Sequence, residues 1–186
     1  MGFRNFADMS SLNIPQSSNP RFVIIGGGFG GIALAKKLRD KGAQVVLLDK
    51  HNYHNFQPLL YQVSTGGLEP DSIAYPIRKV LQGYPNFYFR LANVLEIDTN
   101  KRKISTNIGD VNYDYLVVAT GSQTNYFGNK GIEDMGMAMK TIPQSLNLRS
   151  LILENFEQAL LTDDLHARDA LMSFVIVGGG PTGVEL

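Results

Sequence analysis

The chain has 186 residues, enough for one good core and part of a second, and its 17 basic residues balance its 17 acidic ones. That balance, with no long block of either sign, argues against a polyanion-binding surface, so no nucleic-acid partner is expected. Cysteine is absent altogether, which excludes structural disulfides, thiolate metal sites and a redox-active dithiol.

In chain order, residues 1–20 (MGFRNFADMSSLNIPQSSNP) are polar and lack the apolar core of a signal peptide; they read as a flexible leader. Position 6 is Phe6 rather than Ser or Thr, so myristoylation is not indicated. No apolar stretch reaches the ~18 residues that a membrane-spanning helix needs. RFVIIGG (21–27) is a β-branched apolar run, as expected of a strand buried on both faces. A helix is predicted from Gly30 to Gly42, burying Ile32, Leu34, Ala35 and Leu38 and wetting Lys36, Lys37, Arg39 and Lys41. AQVVLLDK (43–50) supplies a second buried strand. Together they make a strand–helix–strand unit of the kind that closes as a right-handed parallel crossover.

From His51 to Tyr84, Pro58, Pro70 and Pro76 interrupt any regular pattern, and loop with short helices is expected. NFYFRLANVLEID (86–98), KRKISTN (101–107) and VNYDYLVVAT (111–120) read as three strands, the first two joined by a turn at Thr99-Asn100. A glycine-punctuated loop follows. Pro143 opens a long helix from Gln144 to about Leu161, and TDDLHARDA (162–170) links it to MSFVIVGGG, read as another buried strand. The boundaries expected are a leader (1–20), a first nucleotide-binding domain (21–127), a connecting loop and helix (128–172), and the start of a second nucleotide-binding domain (173–186).

Two glycine runs carry the chemistry. Gly26, Gly28 and Gly31 satisfy G-x-G-x-x-G directly after a strand and at the head of a helix. The three glycines serve a tight turn, close approach of a diphosphate, and close packing of helix on strand. The helix N-terminus then faces the diphosphate with its amides and positive dipole end. Asp49 closes the second strand 23 residues after Gly26, where a carboxylate accepts ribose hydroxyls. Gly178, Gly180 and Gly183 repeat the spacing 152 residues later, with Pro181 suited to a first helical turn. Two such runs suggest two dinucleotides, a flavin held permanently and a nicotinamide that exchanges.

These residues resemble a known family. The first glycine run with Ala35, then Asp49, YDYLVVATG (113–121) and GGGPTGVE (178–185) are similar to the two-dinucleotide-binding flavoproteins. NYHNFQPLLYQVSTGGLEPDSIAYPIR (52–78) narrows the resemblance to type II NADH:quinone oxidoreductases, single-subunit enzymes that do not pump protons. The resemblance implies an α/β fold: a Rossmann-like FAD-binding parallel sheet with an antiparallel β-meander, then the first strand of a second Rossmann-like domain for NAD. It implies FAD on Gly26, Gly28, Gly31, Asp49, Thr120 and Gly121, with Pro58 and Leu59 near the isoalloxazine. NADH would bind as co-substrate at Gly178, Gly180 and Gly183. Glu185 would stand near the flavin–nicotinamide junction as the catalytic residue, orienting the nicotinamide or assisting proton delivery. A carboxylate placed in a first helical turn for its dipole is the plainer reading of Glu185.

Hydride would pass from NADH to the flavin, and electrons from there to a quinone. The resemblance also implies a homodimer and, for a full-length parent, peripheral attachment to the cytoplasmic face of the inner membrane through a C-terminal region not seen here. Only nine residues follow from Gly178 onward, where a strand–helix–strand unit takes about thirty, so the chain is expected to be an incomplete piece that is inactive alone. A ferredoxin- or rubredoxin-type NAD(P)H reductase is the alternative enzyme, and an inactive FAD-binding fragment the alternative to any enzyme. Sulfide:quinone and disulfide reductases are disfavoured because they work through cysteines. His51 and His54 lack the further ligands of a metal site, and none is expected. Tyr53, Phe56, Tyr61, Tyr75 and Tyr84 read mostly as core, with the lining of a quinone tunnel as the alternative.

Overall fold

A computed structural model describes residues 12–186, and the chain divides into two compact units. One comprises the chain up to His54 together with Tyr75–Ser122; the other comprises Asn55–Ala74 and Gln123–Leu186.

The first unit is built on four parallel strands. They are β1 (Arg21–Ile25), β2 (Gln44–Asp49), β5 (Phe87–Leu91) and β9 (Tyr115–Val118), in the order β5-β2-β1-β9. Alternation along the central strands sorts their side chains to two faces. Val23, Ile25, Val46 and Leu48 pack with Ile104 and Val111 of an antiparallel meander, β6 (Val94–Asp98), β7 (Lys103–Thr106) and β8 (Gly109–Asn112). Ile24, Val45, Leu47 and Phe89 pack with Ala35 of α1 (Phe29–Lys37) and Ile77 of α3 (Ile77–Val80). Each fully buried aliphatic side chain contributes about 1.5–3 kcal/mol, so the apolar runs of β1 and β2 are what hold three layers together. The α/β fold with parallel sheet and meander is as the sequence led us to expect.

Differences from the sequence reading lie at the joints. The helix predicted to reach Gly42 ends at Lys37, and turns carry the chain to Gly42, whose φ of +61° suits glycine. Residues 86–98 are two strands in two sheets: β5 joins the parallel sheet, and the chain leaves it at Ala92, whose N–H donates to Asp49 O. Residues 111–120 likewise divide. The amide of Tyr113 donates to Arg102 O in the meander, and that of Asp114 to Arg21 O beside the parallel sheet.

Part of the expected leader is held. Leu12 is 3% exposed within the core between sheet and meander. Arg90 donates to the carbonyls of Leu12 (2.7 Å) and Asn13 (2.6 Å), and Arg21 and Gln44 both donate to Pro15 O. The remainder of that expectation, residues 1–11, lies outside the described residues.

The chain leaves the first unit through β3 (Tyr53–Asn55), which pairs with β4 (Ala74–Pro76) on its return. In the second unit α2 (Leu60–Ser64) packs on α5 (Ile142–Ala159), with Leu60, Val63 and Ser145 buried. Thr141 caps α5 through a capping box with Gln144. The region around it holds two further helices, α4 (Lys130–Met135) and α6 (Leu165–Leu171), the latter where a linker was expected. The run MSFVIV (172–177) does not become the buried strand read from its composition. Val175 and Val177 are 88% and 67% exposed, and no strand pairs with them among the described residues. Without a partner's backbone groups an apolar run has no ladder to join. Only the glycine turn and α7 (Pro181–Glu185) of the expected second domain take regular form.

Candidate functional site

The first glycine turn is fixed from below by the strands around it. Gly26 has φ +109°, and its N–H donates to Leu48 O at 2.8 Å. A Cβ on Gly26 would strike the carbonyl of Ala119, so only glycine lets β1 pass beside the end of β9. The same approach brings Thr120 to the turn, its amide 3.1 Å from that imagined Cβ, and Gly121 follows at φ +74°. Thr120 and Gly121 are exposed.

Beyond Gly26 the turn opens. Gly28 is the N-cap of α1 in extended conformation, and a Cβ added to it would meet nothing within 4 Å. Gly31 is buried one turn on, where an added Cβ would overlap the carbonyl oxygen of Gly26; helix and strand touch backbone to backbone. The first-turn amides of α1 have no intrahelical acceptor, and no acidic residue stands in that turn to repel an anion. Asp49 closes β2 beside this turn. Its Oδ2 accepts from the amide of Gly27 at 2.5 Å and its Oδ1 from the amide of His51 at 2.7 Å. Each oxygen keeps a second lone pair, so the carboxylate is oriented by the backbone and can still accept hydroxyls. Gly26, Gly28, Gly31, Asp49, Thr120 and Gly121 are thus brought to one place.

Two residues outside the predicted set belong to the same turn. Gly27 is confined by space rather than torsion: an added Cβ would lie 2.5 Å from Cδ1 of Ile77 and 3.2 Å from Oδ2 of Asp49. His54, on β3, places Nδ1 3.1 Å from Gly27 O. The consecutive glycines marked Gly27 in the sequence, but nothing local linked His54 to it across 27 residues.

The remaining predicted residues lie in the second unit. Pro58 and Leu59 sit in a short 3-10 turn, Gln57–Leu59, Pro58 exposed and Leu59 half-buried. Gly178 (φ +119°), Gly180 and Gly183 repeat the first turn: Gly180 is an extended N-cap, and a Cβ on Gly183 would overlap the carbonyl oxygen of Gly178. Glu185 is exposed and follows four residues of α7, so it stands beyond that helix's first turn.

The sequence matches the family model for pyridine nucleotide-disulphide oxidoreductases over residues 20–186. The chain belongs to that family. Within it, the chain is 42% identical over 185 residues to the type II NADH:quinone oxidoreductase Ndh of Mycobacterium tuberculosis, covering 96% of this chain and 40% of that protein. It is 33% identical to the mitochondrial external alternative NADH-ubiquinone oxidoreductase of Yarrowia lipolytica, covering 90% and 31%. Among solved structures, NDH2 of Plasmodium falciparum superimposes with a TM-score of 0.81 at 27% identity, covering 90% of this chain and 35% of that one. The sulfide:quinone oxidoreductase of Aquifex aeolicus gives 0.68 at 28% identity, covering 74% and 32%. The chain therefore spans two-fifths or less of the length of these curated relatives.

Proposed function

We propose that this chain carries the flavin-binding end of an NADH:quinone oxidoreductase. The observation that carries the reading is the turn Gly26–Gly31. A helix N-terminus, an open face at Gly28 and a carboxylate at Asp49 meet there. That donor and acceptor set fits the diphosphate and ribose of FAD, and 42% identity to a type II NADH:quinone oxidoreductase supports FAD over other dinucleotides.

FAD, when bound, supplies the redox chemistry, taking a hydride from NADH and giving electrons to a quinone. The chain's residues bind and orient. The amides at the head of α1 receive the diphosphate, Asp49 accepts the ribose hydroxyls, and Thr120 and Gly121 border the nucleotide. Pro58 and Leu59 are assigned to the isoalloxazine, and Gly178, Gly180 and Gly183 to the nicotinamide dinucleotide. Glu185 is assigned to orienting the nicotinamide amide. Peripheral attachment to the cytoplasmic face of a membrane, and a homodimer, belong to the same reading. No helix among the described residues is long and apolar enough to cross a membrane.

The test is a titration of the purified chain with FAD, followed by NADH and then a water-soluble quinone. Quenching of flavin fluorescence on binding, with loss of binding in Asp49→Ala, is the expected result. Absence of any FAD binding by the wild-type chain would refute the reading. Bleaching by NADH and reoxidation by quinone are read separately and decide how much of the activity these residues perform.

A further inference from the structure

His54 lies in the 52–78 stretch but outside both glycine runs, and no role is assigned to it there; it completes the hydrogen bonding of the diphosphate turn. Its Nδ1 lies 3.1 Å from the carbonyl oxygen of Gly27, and its ring stands edge-on to Phe29 with centroids 4.9 Å apart and planes at 88°. A carbonyl oxygen only accepts, so Nδ1 carries the proton. On the other side of the same residue, the Gly27 N–H donates to Asp49. Both polar groups of Gly27 are therefore held by side chains, one from the end of β2 and one from β3, while Ile77 closes the space where a Cβ would sit.

The next link is the peptide between Gly27 and Gly28. No cis peptide occurs among the described residues, so in this planar unit the Gly27 carbonyl and the Gly28 N–H point in opposite directions. Holding the carbonyl fixes where the N–H aims. The bond also polarises the peptide, which makes the N–H a better donor to an anion. Gly28 is the N-cap of α1, and the position a Cβ would take on it is open.

We propose that His54 is a positioning residue for the diphosphate-binding turn: by donating to Gly27 O it fixes the 27–28 peptide and aims the Gly28 N–H at the ligand's diphosphate. This rests on the FAD reading above, and it adds to that reading a residue that acts through the backbone rather than by touching the cofactor. His51, three residues earlier, has a different role; its ring packs against Tyr53 with centroids 5.3 Å apart.

Two measurements test it. The first needs no cofactor: nitrogen-15 NMR of the flavin-free chain should show the His54 ring protonated on Nδ1, and a ring protonated on Nε2 alone overturns the proposal. The second compares FAD affinity in His54→Leu and His54→Asn. Loss of one hydrogen bond predicts about five- to tenfold weaker binding in His54→Leu. His54→Asn, which keeps a short amide donor, should recover to within about twofold of wild type. Equal affinity in His54→Leu and wild type, or an equal loss in both variants, overturns the proposal. If His54→Leu does not fold, His54→Asn and the NMR result decide. A wild-type chain that binds no FAD refutes the function proposed above, and the tautomer then decides whether the clamp on Gly27 exists.

Discussion

Replacing Gly31 by alanine sets packing against helix propensity at one position. In an ordinary helix interior the change gains about 0.5–1 kcal/mol, because alanine loses less backbone freedom than glycine. At Gly31 the new methyl would overlap the carbonyl oxygen of Gly26, lie 3.0 Å from the carbonyl carbon, and lie 3.3 Å from Cγ2 of Ile24. Two of those three atoms are backbone in a turn tied to Leu48 O, so no rotamer change relieves them; α1 has to move off β1. Overpacking of this kind costs about 1–3 kcal/mol, and backbone contact places it at the upper end. Subtracting the propensity gain leaves a net loss of about 2 kcal/mol. For a chain of this size that corresponds to a melting shift of about 4–8 °C. Gly30→Ala is the control, since its Cβ would meet only Cβ of Ala119, at 3.9 Å, and it should gain up to about 1 kcal/mol. Urea unfolding of the flavin-free proteins, followed by far-ultraviolet circular dichroism and tyrosine fluorescence, measures both. A Gly31→Ala protein as stable as Gly30→Ala would refute the packing argument.

Three further outcomes follow from other parts of the fold. Leu12→Ala should destabilise the first unit by about 2–4 kcal/mol, because it empties a buried site between sheet and meander; urea unfolding that matches wild type would contradict that burial. Thr141→Ala removes both the oxygen that caps Gln144 N and half of the capping box, so the helix signal at 222 nm should melt with a loss of about 1 kcal/mol. The Lys103–Asp110 pair, 2.7 Å apart on the meander, gives a pH signature. The hydrogen bond from Lys103, the largest influence, holds the Asp110 carboxyl below the usual carboxylate range and raises the Lys103 ammonium above its own. Asp110 thus contributes stability that is present above the unfolded carboxyl value and lost as pH falls through the folded one. The Lys103 share is present below its unfolded value and lost as pH rises through the folded one. In Lys103→Met a carbon-13 titration should show Asp110 moving upward but not fully to the free value, because Ser105 also donates to it; an unmoved titration would contradict the pairing.

What could be read in the sequence was what is settled locally or by burial. The apolar runs of β1 and β2, the glycine spacing and Asp49 at the strand end are composition and periodicity, and the structure assembles them as expected. The joints were illegible because their determinants are distant in the chain. Nothing within residues 86–98 says that Ala92 will donate to Asp49 O or that Asn93 will donate to the side chain of Asn107, yet those two bonds divide one apparent strand between two sheets. Leu12 and Pro15 look like leader until Arg90, Arg21 and Gln44 supply donors to their carbonyls from elsewhere. In the sequence His54 stands out only as the neighbour of His51, in a pair without the further ligands of a metal site, and its partner is a backbone oxygen 27 residues away.

The two glycine turns separate these kinds of information within one molecule. Gly26 and Gly178 take φ of +109° and +119°, Gly28 and Gly180 are extended N-caps, and Gly31 and Gly183 each press on the carbonyl of the glycine five residues before. That shape is the same whether the preceding run is β1, fully paired between two strands, or Phe174–Val177, with no strand beside it among the described residues. The turn is therefore a property of the glycines and the helix that follows, whereas the strand is a property of its neighbours. What distinguishes the first turn is everything that arrives from outside it: Leu48 O on Gly26, Asp49 and His54 on Gly27, and Ala119 beneath. A diphosphate gains most from amides that are already aimed, because ordering them on binding would subtract from the affinity. The amides of the first turn are held from behind, which is why its affinity should respond to His54, a residue that bonds the backbone of the turn rather than the ligand.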